Sequence, residues 1–220
     1  MRATRDGVVV VIHDSTLERT TNERGAVCER SFAELRRCDA GFRFEQAGRY
    51  PYRGRGVQVP SLEELLDEMP QVPLNIEIKQ TEPPIEPTVA ALLERKRAYD
   101  RVVLAAEDDT IMRGIRACAP RAATSASRAE AQDFFERCFW RGFDGYVPAA
   151  RALQIPPRYG ELDLVTADTL AAAHRFGLEV HVWTVNEEAE MERLLRLGVD
   201  GVMSDFPGRL VAVARRLGVR

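Results

Sequence analysis

The sequence predicts an α/β fold, a TIM-type (β/α)₈ barrel short of about its first two strands. Short β-rich runs alternate with helical segments, which is the signature of βα units around a parallel sheet. No G-x-G-x-x-G or G-x-x-x-x-G-K-[ST] follows any strand, so a doubly wound nucleotide-binding sheet loses its main support. Polar residues stand where predicted strands end, at Glu77 and Lys79, Glu107 and Asp108, Thr184 and Asn186, and Asp205. Barrels gather ligand groups at those ends. At 220 residues and 45% hydrophobic content, the chain can build one sizeable core and is read as a single domain, 1–220.

The first element is the run that ends on His13 and Asp14 in MRATRDGVVVVIHDSTLERTTN. Asp6-Gly7 before it is a strong hairpin signal and calls for an incoming arm, for which only Met1 to Arg5 is available. The stump and the strand count both ask for a missing N-terminal piece, on the order of 40 residues. Later strands are expected at Leu74 to Ile78, Val102 to Ala105, Ala122 to Ser125, Phe143 to Val147, Leu178 to Val185 and Gly201 to Ser204. Between them, Ser31 with Glu34 and Ser61 with Glu64 fit capping boxes. Asp109, Asn186 and the Ser204-Asp205 pair are expected N-caps, while Gly177 and Gly198 are expected helix stops. The stretch 39–60, DAGFRFEQAGRYPYRGRGVQVP, has no period and is rich in Gly, Arg and aromatics. It is read as an inserted loop folding over the barrel mouth, with its arginines available to an anionic substrate.

Composition narrows the partners. A net charge of −3 with both signs interspersed offers no basic face, which argues against nucleic acid. No apolar stretch approaches a membrane span and no signal peptide precedes Val8, so the chain as written is expected in the cytoplasm. A signal peptide lost with the missing start stays open. Cys28, Cys38, Cys118 and Cys138 show no zinc spacing and read as reduced thiols. Among the basic residues, Lys occurs only at Lys79 and Lys96, against an otherwise Arg-only usage. A lysine that persists against such a bias points to a need for a compact charge.

Three motifs carry chemistry. His13-Asp14 is followed by S-T-L-E-R-T-T-N, a hydroxyl-rich segment that is costly after a buried strand unless it lines a site. Imidazole chemistry near neutral pH suits His13 to proton transfer in phosphate-ester cleavage, and a structural histidine is the competing reading. In L-N-I-E-I-K, alternation puts Asn75, Glu77 and Lys79 on one strand face and Leu74, Ile76 and Ile78 on the other. Glu77 is suited to a hard divalent cation and Lys79 to a phosphate oxygen, unless the two simply pair with each other. One carboxylate cannot hold such an ion well. In V-H-V-W-T-V-N, Trp183 is either core or a wall of the substrate pocket, and His181 and His174 read as structural or surface residues.

Together, T-R-D-G-V-V-V-V-I-H-D-S-T-L-E-R-T-T-N, P-S-L-E-E-L-L, L-N-I-E-I-K, V-W-T-V-N and V-D-G-V-M-S-D-F-P resemble the glycerophosphodiester phosphodiesterase family over nearly the whole chain. The resemblance implies a TIM barrel that hydrolyses glycerophosphodiesters to glycerol 3-phosphate and an alcohol. It also implies a divalent cation, Mg²⁺ or Ca²⁺, and a histidine pair. His13 then matches the second histidine, Glu77 a metal carboxylate and Lys79 the phosphate-contacting lysine. The family's first strand ending H-R-G, its P-E-N-T segment and its E-x-D strand have no counterpart here, which removes one histidine and two metal ligands. Met1 falls where the family has a Val, so an internal GTG start is the expected explanation, with impaired turnover in the chain as written. A non-catalytic binding fragment and a related lysophospholipid phosphodiesterase are the alternatives.

Overall fold

The computed structural model describes residues 1–219 and forms two compact units, Met1–Ala122 and Ala123 onward. The first unit opens with the expected hairpin. Strand β1 (Arg2–Ala3) pairs antiparallel with β2 (Val9–Val10), Ala3 opposite Val9. Gly7 adopts φ +78° in the turn, a left-handed conformation that a residue without Cβ enters freely. The Thr4 hydroxyl donates to the Asp6 carboxylate, which also accepts the Phe32 N–H at 2.9 Å.

Two helices begin as their sequences dictate: α1 (Phe32–Leu35) and α2 (Leu62–Glu68) start on Ser31/Glu34 and Ser61/Glu64 capping boxes. Strand β3 (Leu74–Glu77) leads into α3 (Glu86–Arg95) and then β4 (Val102–Ala105), which lies parallel to β3 with Glu77 opposite Ala105. Helix α4 (Asp109–Cys118) is capped by Asp108 rather than Asp109. The Asp108 backbone is extended, so its carboxylate reaches the Thr110 and Ile111 N–H groups at 2.7 and 3.0 Å, while Asp109 is already helical. Ile76, Ile78, Leu93, Leu104, Met112 and Ile115 form the core of this unit. A smaller cluster of Val10, Leu17, Val27, Leu35 and Val59 anchors the segment after His13.

The second unit continues the βα pattern. Strand β5 (Ala123–Thr124) precedes α5 (Arg128–Glu136), which ends in a π-helical turn, Arg137–Arg141. Strand β6 (Ala152–Ile155) is followed by a short antiparallel hairpin of β7 (Arg158–Tyr159) and β8 (Leu162–Asp163), then α6 (Ala167–Arg175). Strand β9 (Glu179–Val182), α7 (Glu188–Leu197), β10 (Gly201–Val202) and α8 (Pro207–Leu217) complete it. β9 lies between β6 and β10, both parallel to it. Phe134, Leu153, Ile155, Val180, Val182, Met191 and Leu194 make its core.

Several sequence expectations are corrected here. Phe143 to Val147 is not a strand: Gly142 and Gly145 take φ +71° and +68°, and Phe143 and Tyr146 pack with Phe134 and Phe176 as an aromatic cluster. The strand in that position is β6, whose Ala and Gln made a weak β signal. Asn186 does not cap α7, whose N-cap is Glu187, without a side-chain cap bond. Ser204 and Asp205 do not cap α8, whose N-cap is Phe206. Those three polar residues bond to one another instead. The expected stops hold, with Gly198 at φ +91° ending α7 and Gly177 at φ +67° just beyond α6.

Close packing of β10 on β9 depends on Gly201, where a Cβ would meet His181 Cδ2 at 2.9 Å. The ring has no room to yield cheaply, since it is bonded to Glu179 and Gln154. Gly201→Ala is expected to destabilise the protein by about 1–3 kcal/mol, as overpacking does. His181→Ala should recover most of that loss in a double-mutant cycle by denaturant unfolding.

Candidate active site

His13, Glu77 and Lys79 belong to the first unit and Trp183 to the second. His13 follows β2 on an exposed segment, its side chain 66% accessible. Its Nδ1 lies 2.7 Å from Asp14 Oδ1. Asp14 is in turn clamped by Arg19, whose Nε donates to Oδ2 at 2.5 Å and whose second nitrogen donates to Oδ1 at 3.0 Å. Those Arg19 hydrogen bonds, assisted by His13 and opposed by partial desolvation, pull the Asp14 carboxyl down to about 2. The imidazole is therefore oriented through Nδ1 by a permanently ionised partner, which leaves Nε2 for chemistry. His13 and Asp14 stand together in the sequence motif, and the structure adds Arg19 as the support of both. The signal was the His-Asp adjacency with a basic residue five positions on.

β3 shows the expected alternation. Ile76 and Ile78 are each 1% exposed, whereas Glu77 and Lys79 are partly open. Lys79 Nζ donates to Glu77 Oε1 at 2.7 Å, so the simple pairing anticipated as the competing reading is present. Both side chains remain partly accessible, which keeps the pair within reach of a ligand.

The two motifs are joined by Met1-Arg2. The Met1 nitrogen donates to the Glu77 carbonyl, and the Met1 carbonyl accepts the Lys79 N–H at 3.2 Å. This is the bonding of a parallel bridge opposite Ile78. On its other side, Arg2 Nε donates to the His13 carbonyl at 3.1 Å. One dipeptide thus links the end of β3, through the Met1 backbone, to the His13 carbonyl, through the Arg2 side chain.

In the second unit, Trp183 directly follows β9 and is 39% exposed, with its N–H donating to the Ile155 carbonyl at 3.1 Å. Beside it on the chain, Asn186 is a hub. Its amide nitrogen donates to Asp205 at 2.9 Å, its side-chain oxygen accepts from the Ser204 hydroxyl and the Asp205 N–H, and its carbonyl accepts from Arg209. His181 is held by Glu179 and Gln154, and His174 by Asp200 at 2.8 Å, so both fit the structural reading. The four thiols are free, and burial pushes Cys138 up to about 11, which makes it a poor nucleophile.

Among the described residues, no three His, Cys, Asp or Glu side chains gather as a metal site. Glu77 offers one carboxylate, already paired with Lys79, where a hard cation takes six or more oxygens. The donor set present does not fit a complete divalent-cation site.

The sequence matches the profile of the glycerophosphoryl diester phosphodiesterase family over residues 1–209. The chain belongs to this family. A probable glycerophosphodiester phosphodiesterase of Mycobacterium tuberculosis is 32% identical over 213 residues, covering 93% of this chain and 74% of that protein. The crystal structure of a glycerophosphodiester phosphodiesterase from Agrobacterium tumefaciens superposes with a TM-score of 0.74 at 24% identity, over 96% of this chain and 84% of that one. A phosphodiesterase from Oleispira antarctica, solved with the product sn-glycerol-3-phosphate, gives 0.73 at 22% identity, over 97% and 82%. The fold class is the α/β TIM-barrel type that these enzymes share.

The clamp on Asp14 is measurable. Arg19→Ala removes the main cause of its depressed pKa, so carbon-detected NMR should show the Asp14 carboxyl titrating upward toward an ordinary value of about 3.9. In the parent protein it should stay ionised until the pH falls to about 2.

Proposed function

We propose that this chain is a glycerophosphodiester phosphodiesterase that releases glycerol 3-phosphate and an alcohol from a small-molecule glycerophosphodiester. Family membership supports the reaction class, and the Oleispira antarctica structure supports the product. The observation that carries the reading to residues is the Met1-Arg2 bridge, which ties the His13 turn to Glu77 and Lys79.

His13 is the proton carrier. Held at Nδ1 by Asp14, it protonates the leaving alkoxide or accepts the proton of the attacking hydroxyl through Nε2. Lys79 neutralises a phosphoryl oxygen. A partly exposed ion pair is worth roughly 0–1 kcal/mol, so little opposes transfer of Lys79 from Glu77 to a phosphate carrying full charge. Trp183, in the second unit, keeps the substrate-contact role expected from the sequence on the strength of its exposed ring alone. The single domain 1–220 and the insertion 39–60 are part of the same proposal.

The family is divalent-cation dependent, and Glu77 is the residue here that would contribute an oxygen to Mg²⁺ or Ca²⁺. Because the described donors make no complete site, no step of this mechanism passes through the ion. That lone carboxylate favours a second reading, a protein that binds the phosphate ester with little or no turnover.

A coupled assay for glycerol 3-phosphate from glycerophosphocholine or glycerophosphoethanolamine separates them. In an active protein, His13→Ala should lower kcat by about 10²- to 10⁴-fold, as loss of a general acid or base does. Lys79→Ala should raise KM as well as lower kcat. Equal activity in the His13 variant would remove the assignment, and glycerol 3-phosphate binding without turnover would establish the second reading. Calorimetric titration of Ca²⁺ or Mn²⁺ should give a Kd of about 1 mM or weaker, the range of poorly liganded sites. Micromolar binding would show that further ligands assemble.

A further inference from the structure

The insertion 39–60 is a closed loop with its ends tied, Ala40 N–H to Val57 carbonyl at 2.9 Å. Inside it, the Asp39 carboxylate accepts the Gly41 and Gly54 N–H groups at 2.9 and 2.7 Å, and Arg53 donates to the Phe42 carbonyl at 2.8 Å. Gly41 sits so close to Tyr52 that a Cβ would lie 2.6 Å from its carbonyl oxygen. Arg43 secures the loop to the segment after His13 through the Thr21 carbonyl. The loop is preorganised without regular secondary structure.

What it presents outward is unusual. Phe44, Tyr50, Tyr52 and Val57 are each between 38% and 50% exposed. Arg53 lies over the Tyr50 ring at 3.7 Å and the Phe42 ring at 4.4 Å, and Phe44 meets Tyr52 edge to face at 5.1 Å. Arg49 and Arg55 are exposed, and their guanidinium groups have no partner among the described residues. Asp39 is spent on backbone N–H groups, and Glu45 faces the Tyr50 hydroxyl at 3.5 Å. A net positive, aromatic platform therefore stands on a chain whose overall charge is −3.

We propose that this loop docks the protein on an anionic lipid bilayer surface. Amphipathic Tyr rings and Phe settle at the headgroup level, and arginines gain from a negative surface potential. A bilayer needs complementary charge, which the loop provides with four arginines against Asp39 and Glu45. Stacking on nucleobases fits less well, because Arg53 covers ring faces of Phe42 and Tyr50 and the Phe44 and Tyr52 rings are engaged with each other. The inference does not depend on phosphodiesterase activity.

Sedimentation of the full chain with vesicles tests it. Vesicles of mixed phosphatidylglycerol and phosphatidylcholine should retain the protein, vesicles of phosphatidylcholine alone should not, and retention should fall as salt is raised. Arg49→Glu with Arg55→Glu should reduce the partition coefficient by about 20-fold or more, given the usual contribution of each basic residue near such a surface. Phe44→Ser with Tyr52→Ser should reduce it as well, and Trp140→Ser, at an exposed ring outside the loop, should leave it unchanged. Far-UV circular dichroism confirms that each variant is folded. The proposal is overturned if anionic vesicles do not retain the protein, if folded loop variants bind like the parent, or if single-stranded oligonucleotides bind the loop while vesicles do not.

Discussion

The two-residue period of a strand is the constraint on which the site depends. In β3 and the extended residues that follow it, burying Ile76 and Ile78 is worth about 1.5–3 kcal/mol per side chain. The Glu77–Lys79 pair on the opposite face is worth roughly 1 kcal/mol at most. Apolar burial therefore sets the register, and the charged pair is carried to the open face as a consequence. The same logic holds in β9, where Val180 and Val182 are buried and Trp183, one residue past the strand end, is left partly exposed. A one-residue slip in either strand would bury charge and expose the core.

Given that register, the functional groups are refined by short hydrogen bonds rather than by burial. Arg19 fixes Asp14, Asp14 fixes His13, and Arg2 holds the His13 carbonyl. The His13 and Arg19 side chains are substantially open to solvent and Asp14 is partly buried between them, so the chain of contacts positions the imidazole without desolvating it. The Asn186 hub does comparable work in the second unit, joining the turn after β9 to the turn after β10. It was expected as a helix cap, and the loop geometry gave it nonlocal partners instead. No described helix is long and apolar enough to cross a membrane.

Much of this was legible in the residues. Capping boxes at Ser31 and Ser61, the Asp6-Gly7 turn, the Gly198 stop and the alternation of L-N-I-E-I-K are local signals, and each appears as read. Phe143 to Val147 shows where local signals fail. Aromatic and β-branched residues score as strand, but Phe134 and Phe176 draw Phe143 and Tyr146 into an aromatic cluster, and Gly142 and Gly145 with positive φ break the extended backbone.

By itself the sequence determined the βα alternation, the helix starts at Ser31 and Ser61 and the polar face of β3, because periodicity and capping act within a few residues. Only tertiary structure decided that Met1-Arg2 links the His13 turn to β3, that Lys79 rests on Glu77, and that Asp14 is clamped by Arg19. Whether residue 1 lies beside residue 78 is fixed by backbone hydrogen bonds across the fold, and no spacing along the chain encodes it.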